Sequence, residues 1–142
     1  MSGQFEKGMA APDLMCVCID RRDTAGSSGR LYSRYTERPQ NFVNEYQLLR
    51  FMDGLMDAID YPQSSVEMRS YGKPPIVDKK ESRLYISSEE VTGQKGQCAT
   101  FLVHVQYRQN ATWQGEILWK EMGKLQFFRS ALEFLKLLDS AQ

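Results

Sequence analysis

From Phe101 to Tyr107 the chain alternates, with Phe, Val, Val and Tyr at odd positions and Leu, His and Gln at even ones. Period two marks a half-buried strand. It predicts an odd face turned inward and an even face, His104 included, turned to the surface. Gln109-Asn110-Ala111 predicts a turn. Trp113, Ile117 and Trp119 then share one face of a second strand, Gly123 marks another turn, and Leu125 to Arg129 reads as a third strand. The period then changes. Ala131, Leu135 and Leu138 recur at helical spacing, flanked by Leu132 and Phe134, with Ser130 as cap and Glu133 as its capping-box partner.

Upstream, Leu14 to Ile19 (LMCVCI) is a short apolar run between Pro12-Asp13 and Asp20-Arg21-Arg22-Asp23, as expected of a strand buried on both faces. Thr24 to Gly29 is small and polar and reads as a hairpin loop. Arg30 to Thr36 alternates as a second strand, and Pro39 interrupts any ladder beyond it. Asn44 to Asp60 is a helix: Leu48, Leu49, Met52, Leu55, Met56 and Ile59 form one stripe, Asn44 and Gln47 make a capping box, and Pro62 stops it. Residues 61–97 carry prolines, glycines and the charge run Asp78-Lys79-Lys80-Glu81. They predict a linker with two short strands, Ser65 to Tyr71 and Arg83 to Ser87.

Shifting the second pattern back by 86 positions places Val103 on Val17, Val105 on Ile19, Arg108 on Arg22, Gly115 on Gly29 and Ile117 on Leu31. Phe128 falls on Phe42, Ser130 on Asn44, Glu133 on Gln47, Leu135 on Leu49 and Leu138 on Met52. The agreement is one of roles: inward strand positions, a glycine taken as the hairpin glycine, cap, capping-box partner and helix stripe. It predicts a tandem duplication of a strand-hairpin–helix unit. One hairpin and one helix cannot bury their own apolar faces, whereas two such units can, about a pseudo-twofold axis. The expected fold is α+β, an antiparallel sheet or pair of sheets with two helices. Residues 1–142 form a single domain: a flexible tail (1–12), a first unit (13–60), the linker (61–97) and a second unit (98–142).

The chain has 142 residues, 18 of them Lys or Arg and 18 Asp or Glu, so its formal net charge is zero. A dedicated duplex or anionic-membrane binder carries a basic excess, which argues against that class. No apolar run approaches bilayer length, and the first residues lack the pattern of a secretory signal. Three cysteines, an odd number, do not make a disulfide framework, and a reducing cytoplasm is the expected setting.

Arg30-x-x-x-Arg34, overlapping Arg34-x-x-x-Arg38 and followed by Asn110-x-Thr112-x-x-Gly115, resembles the two-part signature of PilZ domains, small β-barrels that bind cyclic diguanylate. The resemblance implies that the arginines grip phosphate and guanine and that the Asn110–Gly115 turn completes the site. Thr112 stands where that family has Ser, and the two parts lie further apart here, with a helix between them. Arg30, Tyr32, Arg34, Arg38, Arg108 and Asn110 also offer an Arg/aromatic surface for single-stranded nucleic acid, with bases stacking on exposed rings. In plan the repeated units resemble PUR-type single-strand binders. Trp113 and Trp119 share a face with Ile117 and are expected in the core.

Cys16 and Cys18 share a strand face, and Cys98 shares parity with His104, an inventory for a three-Cys, one-His zinc site. The cysteine pair lies in an apolar strand, where buried free thiols are the expectation. No metal or other cofactor is expected. His104 is the only histidine, and no triad or phosphate loop accompanies it. The expected function is a non-catalytic cytoplasmic binding or regulatory module whose partner is another protein. Single-stranded nucleic acid or a cyclic dinucleotide is the alternative ligand.

Overall fold

The computed structural model describes residues 13–24, 26–36, 38–59, 87–109 and 112–140. The two most apolar segments of the sequence pair with each other at its centre. Strand β1 (Met15–Asp23) lies antiparallel to β4 (Ala99–Gln109), from Met15 opposite Val103 to Ile19 opposite Ala99. Outward from β1 come β2 (Gly26–Ser33) and β3 (Gln40–Phe42); outward from β4 come β5 (Thr112–Trp119) and β6 (Lys124–Phe128). The result is one six-stranded antiparallel sheet of order β3-β2-β1-β4-β5-β6.

Helices α1 (Glu45–Ile59) and α3 (Ala131–Ser140) contribute to the core on one face. There Val17, Ile19, Phe101 and Val103 meet Leu48 and Met52 of α1 and Phe134 of α3. On the other face Leu14, Cys16, Cys18 and Leu102 pack with Val91 of the short helix α2 (Ser88–Thr92). A central strand with cores on both sides must be apolar throughout, and Leu14 through Ile19 are all fully buried.

The two halves share one internal register. Val17 faces Leu31 and Ile19 faces Gly29, while Val103 faces Ile117 and Val105 faces Gly115. Gly29 faces Phe42, and Gly115 faces Phe128. Each first strand shifts register at the same place, between Ile19 and Arg21 and between Val105 and Tyr107. At the seam Met15 faces Val103 and Val17 faces Phe101, so Cys16 and Leu102 form the pair that a twofold operation would map onto itself. The caps correspond as well. Asn44 Oδ1 accepts from Gln47 N, whose side chain accepts from Val43 N; Ser130 Oγ accepts from Glu133 N, whose side chain accepts from Arg129 N.

The structure corrects several expectations. There are three helices rather than two among the described residues, because Ser87 caps a turn of helix inside the expected linker by accepting from Glu90 N. Of the two strands expected there, Ser65 to Tyr71 lies outside the described residues. So does Arg83 to Ser87, except Ser87, which is that cap. The tail 1–12 also lies outside. Strand β1 runs four residues beyond its apolar run, because the ladder resumes past the shift and pairs Arg21 through Asp23 with Ser28 through Gly26.

Gly29 and Gly115 are not hairpin glycines. Both sit within strands, where an added Cβ would collide with the carbonyl oxygens of Cys18 and His104 respectively. Their role is close backbone approach beside a bulge. His104 is buried rather than outward-facing, because its face of the sheet is also covered. Tyr107 is exposed: the bulge after Val105 shifts the parity, and Arg108 takes the inward place.

Candidate interaction surface

The residues singled out for ligand binding do not converge. Arg30 stands on the α2 side of the sheet, opposite Cys18. Its guanidinium meets Asp20 through Nε at 2.8 Å and Nη2 at 2.9 Å, and also donates to Tyr32 Oη and Lys95 O, both at 2.8 Å. This fork holds the Asp20 carboxyl below the usual carboxylate range. Arg30 thereby ties β1 to the segment before β4, because Asp20 also accepts from Gln97 N at 3.1 Å.

Arg108 is buried on the opposite, helix-bearing side, where it donates to Asp57 Oδ1 at 2.7 Å and Asp53 Oδ1 at 3.4 Å. Arg34 lies in the turn after β2, and Arg38 is exposed in a bend before β3. Asn110 lies outside the described residues. Of the proposed set, the structure joins Arg30 to Tyr32 and leaves Arg108 across the sheet from both. The tryptophans face the core: Trp113 is buried against Phe134, with centroids 6.3 Å apart, and half-buried Trp119 lies 6.2 Å from Phe101.

The zinc inventory is also dispersed. Cys16 and Cys18 bring their sulfurs to 3.8 Å, and the hydrogen bond between them pushes the Cys16 thiol up while lowering that of Cys18. Cys98 is exposed. His104 Nε2 pairs with Glu116 Oε1 at 2.9 Å in a buried cross-strand contact. Among the described residues no three such side chains gather to hold a metal.

The two sheet edges differ. Strand β3 is three residues long, follows Pro39 and carries Gln40 and Asn41, devices that blunt an edge. Strand β6 occupies the equivalent place on the other side and is five residues long. Where β3 and its approach have Pro39 and Asn41, the same shift gives Leu125 and Phe127. Phe127 is 64% exposed, although it is among the largest apolar side chains of the molecule.

Leu125 and Phe127 point to the α2 side, as their partners Leu118 and Glu116 do. Leu125 ends an apolar row that crosses the sheet: Tyr32, Cys16, Leu102, Leu118, Leu125. Met122, in the turn that leads into β6, is 63% exposed. Period-two patterning found β6 as a strand but had no signal for its edge position, which depends on strand order. The one pointer in the sequence was the departure of Leu125 and Phe127 from Pro39 and Asn41.

Set against protein-family models, curated proteins and solved structures, the chain matches none. No described helix is long and apolar enough to cross a membrane.

Proposed function

We propose that this chain is a non-catalytic cytoplasmic binding module that works through protein–protein contact made by the outer strand β6. The observation that carries this reading is Phe127, a large ring exposed on β6, the outermost strand of the sheet among the described residues. Strand addition draws affinity from main-chain hydrogen bonds and specificity from alternate side chains, and Leu125 and Phe127 supply that alternate pair. The common register of the halves supports a tandem duplication. On that reading Pro39 and Asn41 keep the protected form of the edge, and Leu125 and Phe127 are its modified form.

The test is a displayed library of random peptides panned in parallel against the wild-type chain and Phe127→Lys. Peptides with alternating apolar residues should be enriched on the wild type and lose at least tenfold in affinity on the variant. Enriched peptides that bind both proteins equally would overturn the reading, as would a library that yields none. The bound arginines weigh against the nucleotide alternative, because Arg30 and Arg108 spend their donors on groups of the chain itself.

A further inference from the structure

Resting on that reading, the geometry points to a second copy of this chain as the partner, added antiparallel at β6 with Gln126 on the twofold axis. Strand β6 is self-complementary in this register. A twofold axis through Gln126 sets Leu125 opposite Phe127 of the second copy, and Phe127 opposite its Leu125. Both lie on the α2 face of β6, so each exposed ring meets an aliphatic side chain in a favourable cross-strand pair. The apolar row ending at Leu125 would then continue onto the second sheet rather than stop at solvent. The same operation at β3 would bring together short, polar strands and gain no such pair.

The helices fit the same operation. Helix α3 packs over both β5 and β6. Strands in a sheet are spaced about 4.8 Å apart, so two such helices would lie roughly 10 Å apart across the new seam, the usual distance for packed helices. Leu137 and Ser140, near the end of α3, line a cavity with Gln126 of β6 and with Phe101 and Trp119 further into the sheet. The twofold operation sets the two helices antiparallel across the seam. Equal numbers of basic and acidic residues, 18 of each, leave no net repulsion between copies.

The test combines sedimentation equilibrium with a cross-link, in a Cys98→Ser background that removes the exposed thiol. Gln126→Cys would place two cysteines opposite each other on the axis, with Cα atoms about 4.5–5.5 Å apart as in any antiparallel pair, within disulfide reach. The expected result has three parts. The wild-type chain is dimeric at tens of micromolar; Phe127→Lys weakens dimerisation at least tenfold, with the melting temperature of the wild type at dilutions where both proteins are monomeric; and Gln126→Cys forms a covalent dimer under copper-phenanthroline oxidation, which Phe127→Lys suppresses. A monomer at all concentrations overturns the second copy as partner. So does a dimer that survives Phe127→Lys and does not cross-link at position 126, because it would use another surface. The peptide panning separates the two readings: a monomeric chain whose edge still selects peptides in a Phe127-dependent way loses the self-association and keeps the docking edge.

Discussion

Arg22 and Arg108 stand at equivalent positions, each just past a β-bulge, and each holds the helix of the opposite half. Arg22, in the first half, donates to Leu138 O in the last turn of α3 at 3.0 Å. Arg108, in the second half, donates to Asp57 on α1 at 2.7 Å. The bulge makes this possible by turning the residue three positions after an inward Ile19 or Val105 inward again. The exchange fastens the halves to each other in addition to the β1–β4 ladder. The acceptors differ in kind: one is a helix-end carbonyl, where a cation is favoured, and the other is a pair of carboxylates.

Replacing either arginine should therefore weaken the whole fold. Arg108 is buried while its carboxylate partners are largely exposed, so Arg108→Met keeps the apolar packing and loses the charge-assisted bonds, costing about 1–3 kcal/mol. Arg22→Met loses a bond at a half-buried site and should cost about 0.5–1.5 kcal/mol. Urea unfolding followed by circular dichroism measures both. Two neutral substitutions would mean that the clasp contributes nothing to joining the halves.

The glycines give a contrast in sign. At Gly29 and Gly115 an added methyl meets strand backbone, which cannot give way as a side-chain end can, so Gly29→Ala and Gly115→Ala should each cost about 2 kcal/mol or more. At Gly54, in the exposed middle of α1, nothing lies within 4 Å of the added Cβ. Gly54→Ala should stabilise by about 0.5–1 kcal/mol through helix propensity and a less free unfolded chain. Thermal melts of the three variants decide it, and a stabilising Gly115→Ala would contradict the close approach.

Local periodicity made much of this fold legible. Helix stripes such as Leu48, Met52 and Met56 and caps such as Asn44 and Ser130 are written in residues three and four apart. The central pairing was foreshadowed by LMCVCI and FLVHV. What escaped depends on relations between strands. A bulge after Val105 cannot be read from alternation, so Tyr107 was expected inside and Arg108 outside. Gly29 and Gly115 carry the same composition signal whether they turn a hairpin or admit a neighbouring carbonyl. His104 looked outward because one face was assumed to be solvated, whereas α2 and its core lie on that side. The candidate arginines were legible as residues but not as a site, since Asp20 on the neighbouring strand engages Arg30 and Asp57 engages Arg108 from a distant part of the chain.

Asp13 supplies the pH dependence. Its side chain is buried, Oδ2 accepts from Val105 N at 3.1 Å, and Oδ1 has no partner among the described residues. Burial pushes its carboxyl from 3.8 up to about 7, against the smaller pull of the Val105 and Asp13 amides and of Arg108. Below pH 4 both folded and unfolded chains hold the proton, and the group costs nothing. Between about 4 and 7 the unfolded chain releases it while the folded one keeps it, so stability falls as pH rises. Above 7 both are ionised and the penalty is complete, on the order of 4 kcal/mol. Asp20 works in the opposite sense, but only as pH falls through the acid range where Arg30 holds its carboxyl ionised. The window from pH 5 to 8 lies above the range in which Asp20 acts. Wild-type stability should decline across it, and Asp13→Asn, which mimics the protonated carboxyl and can still accept from Val105 N, should flatten the curve and be the more stable protein at pH 8. Urea midpoints at pH 5, 6.5 and 8 measure this, and parallel curves for the two proteins would show that Asp13 does not titrate in the folded state.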